Sequence, residues 1–335
     1  MTALAALIGL AGCVGTAASS RPAPARCPAD TAWSGRPDVP RCGALFGVAL
    51  PATDSQLPAA VSAVQLQLHR DLDVVHTYHR FYDRFPTDNE SALARQGHMV
   101  FFNWEPVDQR GRLMSWSAIA AGVHDDSIDR TARRLAALPG TALVSFSHEP
   151  ELHLHEHGSV TDFAAAFRRV VDRARAAGAT RVRWVWNVMG LTDPIWRARY
   201  LQLWPGGRYV DWIAWDPYNF ASCRDKPWRS FEATVRPFYD WLATADLGDK
   251  PLMLAEYGTV EQAGNGPSKA DWLARIPSAL SRLPRLRALV YFDLPSPPAN
   301  CDWLVTTSPR ATAAFGAVGL SQPFRWAAAH HAPAG

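Results

Sequence analysis

Two short motifs in this chain have residue types and placement suited to chemistry: Ser147-His148-Glu149-Pro150 and Ala255-Glu256-Tyr257-Gly258. In each, a glutamate closes an otherwise apolar run, ALVSFS over 142–147 and LMLAEY over 252–257. A carboxylate there is costly unless it is solvated or used, because a charge loses its hydration without gaining a partner. Taken singly, either glutamate reads equally well as the anchor of a loop salt bridge. Facing one another, the two could divide a reaction, one giving a proton to a departing group while the other attacks as a nucleophile. That division needs unlike surroundings, so that one group holds its proton near neutrality while the other stays ionised, for instance by a hydrogen bond from Tyr218.

The elements that must hold such a pair recur at regular intervals. Eight short β-branched or aromatic runs span 45–50, 73–78, 99–104, 142–147, 182–187, 210–215, 252–257 and 288–293. Helix-compatible stretches separate them, the clearest over 161–177. There Phe163, Ala166, Phe167, Val170, Val171 and Ala174 form a stripe at three- and four-residue spacing, and Gly178 supplies a C-terminal stop. Eight strands alternating with helices over residues 43–320 predict an α/β protein with a single (β/α)8 barrel, a fold that takes about 250 residues. The rival, a doubly wound open sheet, lacks the G-x-G-x-x-G turn after its first strand. In a barrel, loops after the strands build the site, which brings strand ends four and seven to one mouth. Trp104, Trp186 and Trp215 end strands and are expected to stack on a ligand, although the barrel core also uses such residues. Asp216 and Tyr218 share one face of an extended strand end, and Phe292 ends the eighth run.

A competing constellation is His148-Glu149-Pro150-Glu151-Leu152-His153-Leu154-His155-Glu156-His157, which invites a metal-dependent hydrolase. The spacing is poor for one: His148 and His153 lie five apart rather than four, and Pro150 breaks the helix that would present them. No metal or other cofactor is therefore expected. A Ser-His-Asp esterase is disfavoured by the lack of a G-x-S-x-G elbow.

Of 335 residues, 48% are hydrophobic and 19% charged, enough for a large core and too apolar for disorder. The net charge is +3, with 34 basic residues scattered among 31 acidic ones, so no nucleic-acid partner is predicted. Fourteen Trp, eight Tyr and fourteen Phe suit wide ligand faces. The first thirteen residues form an apolar run too short to cross a bilayer, and Leu10-Ala11-Gly12-Cys13 resembles the lipobox of bacterial lipoproteins. Residues 1–12 are thus expected to be a signal peptide. The protein would be exported to the cell surface as a monomer, touching the membrane only through a lipid on Cys13. An ordinary signal peptide, without lipidation, stays open. Residues 13–42 read as a Pro-rich linker and arm, and 321–335 as a tail. Cys27, Cys42, Cys223 and Cys301 remain in an oxidising compartment and predict two disulfides. Cys27–Cys42 and Cys223–Cys301 are expected, the other pairings staying open.

With these motifs in hand, the chain resembles glycoside hydrolase family 26, the β-mannanases and related β-glycanases of the (β/α)8 clan. His148-Glu149 is similar to that family's first site and Glu256-Tyr257-Gly258 to its second. Their separation suits three intervening β/α units. Trp204-Pro205-Gly206, Tyr209-Val210-Asp211-Trp212 and Asp216-Pro217-Tyr218 are similar to the segment that lines the cleavage subsite. The resemblance implies an exported retaining glycosidase acting on a β-linked polysaccharide, with Glu149 as acid/base, Glu256 as nucleophile and carboxyls roughly 5–5.5 Å apart. It also implies that His148 binds a sugar hydroxyl, packing behind the strand being the alternative. Two departures leave the glycan open: Pro150-Glu151-Leu152-His153 follows the acid, and Tyr291-Phe292-Asp293 stands where a Trp platform is usual. A non-catalytic glycan-binding lipoprotein is the second reading, disfavoured by the presence of both glutamates.

Overall fold

A computed structural model describes residue 36 and residues 38–261, 266–296 and 301–325. Its eight barrel strands are β1 (Leu45–Ala49), β2 (Val74–Arg80), β3 (Met99–Glu105), β4 (Ala142–Phe146), β5 (Val182–Val188), β6 (Trp212–Trp215), β7 (Leu252–Thr259) and β8 (Leu286–Phe292). All pair in parallel with their sequence neighbours, and β8 pairs with β1, so the sheet closes on itself. The strands read as near-continuous apolar runs because both of their faces are covered. Each strand is followed by at least one helix, which completes a single (β/α)8 barrel.

Alternation along each strand sorts side chains into two layers. Leu45, Val74, Phe101, Leu143, Val185, Trp212, Met253 and Val290 fill the barrel. Their neighbours Phe46, Val75, Phe102, Val144, Trp184, Ile213, Leu254 and Leu289 pack outward against the helices. The helix Val160–Ala176 shows how the outer layer is recruited. Ser159 and Asp162 form a capping box at its start, and every residue of its apolar stripe is buried. Gly178 follows it at φ +86°, a left-handed conformation that suits glycine. Each fully buried Phe or Val on such a stripe contributes about 1.5–3 kcal/mol.

The described residues that flank the barrel on either side pack more deeply than linker-like composition suggested. Asp38 is fully buried at the N-terminal mouth of the barrel, and Val39 joins the interior layer beside Leu45 and Trp212. Asp38 accepts from the guanidinium groups of Arg36 and Arg183 and from the Trp212 indole at 3.0 Å. The arm before residue 43 therefore closes the barrel floor, because a barrel open below would leave the lowest layer of side chains in water. At the other end Phe324 is buried edge-on against Phe46, and Ala44 N–H donates to the Pro323 carbonyl at 3.1 Å. The packed body thus extends past residue 320. The Cys223–Cys301 disulfide is present, with Cα atoms 5.1 Å apart. Cys42 is also disulfide-bonded; Cys13, Cys27 and the signal-like run lie outside the described residues. No described helix is long and apolar enough to cross a membrane.

Candidate active site

Strand ends from around the ring converge on one cleft of ≈ 770 Å³ at the C-terminal mouth, whose lining includes Glu149, Asp216, Tyr218 and Glu256. Glu256 reaches it through an irregularity in β7. Leu254 pairs with Leu289 and Tyr257 with Tyr291, so three steps on β7 oppose two on β8. This extra residue is a bulge, and it lets Ala255 face the barrel interior while the next side chain, Glu256, also turns toward the mouth. Tyr257 is thereby sent outward to Phe231 and Trp272. Glu149 is aimed by a different device. Ser147 and Glu149 both adopt left-handed φ values, 51° and 45°, which curl the chain inward just beyond β4.

Glu256 is held by three neighbours. Tyr78 donates to Oε1 at 2.8 Å and Tyr218 to Oε2 at 2.7 Å, while the Glu256 backbone N–H donates to Asp216 Oδ1 at 2.9 Å. The hydrogen bond from Tyr218 is the one the sequence suggested. Burial and the Glu256 charge push both phenols well above their ordinary pKa, so they remain donors. Asn187 donates to the other oxygen of Asp216 at 2.9 Å. Burial, then the charges of Glu256 and Glu149, raise the Asp216 carboxyl well above the usual range.

Glu149 lies on the same floor, and burial followed by the Glu256 charge raises its pKa to about 7. His148 beside it is bonded through Nδ1 to Glu105, the last residue of β3. Burial would lower the imidazole pKa, but the Glu105 charge and hydrogen bond, with Glu256 and Glu149 beyond, hold it at about 10. His148 is half-buried and tied to Glu105, and it is not among the residues that line the cleft. His76 differs: stacked on Phe101 at 4.1 Å and buried, it is pushed down to about 3 and stays neutral.

Not every aromatic expected at the site arrives there. Trp104 is fully buried among Phe81, Phe85 and Phe146, its indole donating to the Phe81 carbonyl at 3.1 Å. Trp186 is fully buried against Tyr200 and Trp204. Both point into the helix layer, because their strand positions have the parity of the outer face, so neither is a ligand platform. Trp215 is 1% exposed, packs on Phe238 and touches the cleft only with an edge near Gly190. A side chain at Gly190 would lie 2.7 Å from that ring. The aromatic wall comes instead from Tyr218, Phe220, Phe292 and Trp303, gathered around the Cys223–Cys301 bridge. Tyr78, Glu105, Asn187 and Trp303 escaped sequence reasoning. Strand parity was the available signal for Tyr78 and Glu105, which lie an even number of positions beyond the inward Val74 and Phe101.

The histidine-rich segment is not gathered into a metal centre. His157 is buried, bonded to the Met114 carbonyl at 2.6 Å and stacked on Trp116, whereas His153 pairs with Glu156. Among the described residues, no group of three or more His, Cys, Asp or Glu is arranged to hold a metal ion. Glu151 is structural too: its carboxylate accepts from Met189 N–H at 2.9 Å and so fixes the loop that forms one bank of the cleft.

Comparison with solved structures matches this architecture to the catalytic domain of a family 26 endo-β-1,4-mannanase from Bacillus sp. JAMB-750. The TM-score is 0.63 at 14% identity, covering 89% of this chain and 90% of that one. Its fold is that of the family 26 glycoside hydrolases. A family 26 β-mannanase from Bacteroides ovatus aligns with a TM-score of 0.54 at 15% identity over 85% of this chain and 90% of that one. In sequence, endoglucanase H of Acetivibrio thermocellus is 28% identical over 271 residues, 77% of this chain. The chain spans 28% of the length of that relative. No protein-family model matches the sequence. The resemblance to family 26 drawn from residues 148–149, 204–218 and 256–258 is supported by the other two comparisons.

Proposed function

We propose that this family 26 barrel is a retaining glycoside hydrolase that cleaves a β-linked polysaccharide, a β-mannan or related β-glycan, inside the chain. Glu149 gives its proton to the departing glycosidic oxygen while Glu256 attacks the anomeric carbon; water then displaces Glu256, with Glu149 taking the water's proton. The observation that carries this reading is the asymmetry of the pair. Glu149 holds its proton to about pH 7, and Glu256 is gripped at both oxygens by the Tyr78 and Tyr218 hydroxyls. The first environment suits an acid and the second positions an attacking carboxylate. Asp216 orients the Glu256 backbone, and the His148 cation suits a sugar hydroxyl. Phe292, beside Tyr218 and Trp303, suits the face of a pyranose ring. Export as a Cys13-anchored monomer is part of the proposal, on the strength of the 1–13 segment alone.

The test is hydrolysis of purified protein on β-mannan, mixed-linkage β-glucan and xylan, with the product anomer followed by NMR. Retention of β configuration and lost turnover in Glu256→Ala are expected, as is azide rescue of Glu149→Ala on an aryl β-glycoside whose leaving group needs no acid, with a β-glycosyl azide as product. An α product, or undiminished turnover in Glu256→Ala, overturns the assignment.

A further inference from the structure

One bank of the cleft is strongly cationic. The loop after β6 places Arg224, Lys226 and Arg229 in its lining, within six consecutive residues. Several arginines elsewhere are paired with acids: Arg173 lies 3.5 Å from Asp125, Arg285 3.8 Å from Asp249, and Arg310 donates to Asp271 at 2.8 Å. The three cleft cations have no side-chain ion pair or hydrogen bond in the described structure. Asp225, between them in sequence, is not part of the cleft lining.

The loop is also built to hold these charges in place. Cys223, next to Arg224, is tied to Cys301 across the rim, and the Arg224 guanidinium lies over the Phe220 ring at 4.0 Å. The Arg229 backbone is clamped on both sides, its N–H donating to Asn219 Oδ1 at 2.9 Å and its carbonyl accepting from the Trp272 indole at 3.0 Å. Unpaired cations on a fixed loop retain their field for a ligand, because little is spent on an internal partner or on ordering the chain. The floor of the same cleft carries Glu149, Asp216 and Glu256, which would repel a polyanion unless charge of opposite sign stood nearby.

We propose that this bank selects β-glycans bearing anionic substituents, carboxylate or sulfate, on sugars held away from the scissile bond. The inference rests on the reading of this cleft as a glycan-cleaving site and narrows its substrate class. Neutral mannan or glucan would make no use of three uncompensated cations, whereas a uronate or sulfate ester accepts from guanidinium and ammonium donors directly.

The test compares β-mannan and mixed-linkage β-glucan with the same polymers sparsely carboxymethylated or sparsely sulfated. Wild type is expected to show a kcat/KM at least tenfold higher on one anionic form than on its neutral parent at low salt. That ratio should shrink in about 0.5 M NaCl, where the screening length falls to a few ångströms. It should approach one in the Arg224→Gln, Lys226→Gln, Arg229→Gln triple variant. The two anionic polymers separate carboxylate from sulfate. A ratio of one or less in wild type, or a ratio unmoved by salt and by the triple variant, overturns the inference. Affinity electrophoresis of Glu256→Ala in gels containing the neutral or anionic polymers makes the two failures distinguishable. Anionic preference in binding without any wild-type turnover sinks the hydrolase reading alone; turnover without preference sinks only the charge selection.

Discussion

The barrel buries acids at both of its mouths and treats them in opposite ways. At the floor, burial of Asp38 would raise its pKa, but hydrogen bonds and charges from Arg36 and Arg183 outweigh it and leave the carboxyl below the usual range. At the top, Asp216 is buried and Glu149 half-buried, each near the charge of Glu256, and both carboxyls are raised although the His148 charge pulls Glu149 back. One arrangement is a compensated anchor; in the other, desolvation and a neighbouring negative charge outweigh a single histidine. Two arginines thus hold the floor carboxylate in its charged form, whereas the like charge of Glu256 favours the protonated form of its neighbours at the top.

The sharpest way to break this contrast is at Glu256. Glu256→Ala should lower kcat on a β-glycan by roughly 10⁴–10⁶-fold, the scale for removing a nucleophile, while leaving a cooperative unfolding transition by circular dichroism. Glu149→Gln comes next, with a loss of roughly 10²–10⁴-fold on unactivated substrates. In wild type, kcat should fall as pH rises through about 7, where Glu149 loses its proton, and the variant should lack that limb in a stopped assay across pH. The stability signs follow from the same shift. Glu149 binds its proton more tightly folded than unfolded, so its contribution is complete below the ordinary carboxylate range and lost as pH rises through about 7. Glu149→Gln should therefore melt higher than wild type at pH 8, by roughly 2–4 °C, and show no such gain at pH 4.

The floor gives the converse outcome. Asp38→Asn should destabilise by roughly 2–4 kcal/mol in urea unfolding, the cost of breaking a buried pair reduced because both arginines are about a quarter exposed. Its kcat should stay within about twofold of wild type, because nothing at the floor touches the cleft. The destabilisation should fade as pH falls through the depressed Asp38 pKa, where wild type loses the same charge. The smallest expected effect is that of Tyr78→Phe. Losing one donor to Glu256 should reduce kcat roughly tenfold, with KM little changed in steady-state assays.

Much of this was legible before any coordinates. Each barrel strand is covered on both faces, so its apolar run is unbroken, and every expected span lies within two residues of the observed one. Glu149 and Glu256 stood out as a pair, since either alone could have anchored a loop salt bridge. Trp104 and Trp186 were misjudged because a strand end does not reveal which face a side chain takes; counting in twos from an inward neighbour would have sent both outward. Glu105 was missed because its strand runs one residue further than the apolar pattern does, and Tyr78, though it ends the second run, because its facing was not counted from Val74. The floor closure was hidden by composition: a Pro-rich arm looks like a tether until Asp38 meets Arg36 and Arg183.

The bulge in β7 makes the reactive carboxylate a matter of counting. Below it, odd-numbered residues such as Met253 and Ala255 fill the barrel; above it, even-numbered ones turn inward, and a side chain at Gly258 would sit 3.2 Å from Trp303 and Tyr218. Straightening the bulge with every residue kept would rotate the Tyr257 phenol into the cleft and carry Glu256 to the outer wall, whereas deleting the surplus residue would leave the glutamate facing inward. The facing of one carboxylate thus hangs on an irregularity of pairing that leaves the hydrophobic skeleton on both sides of it untouched.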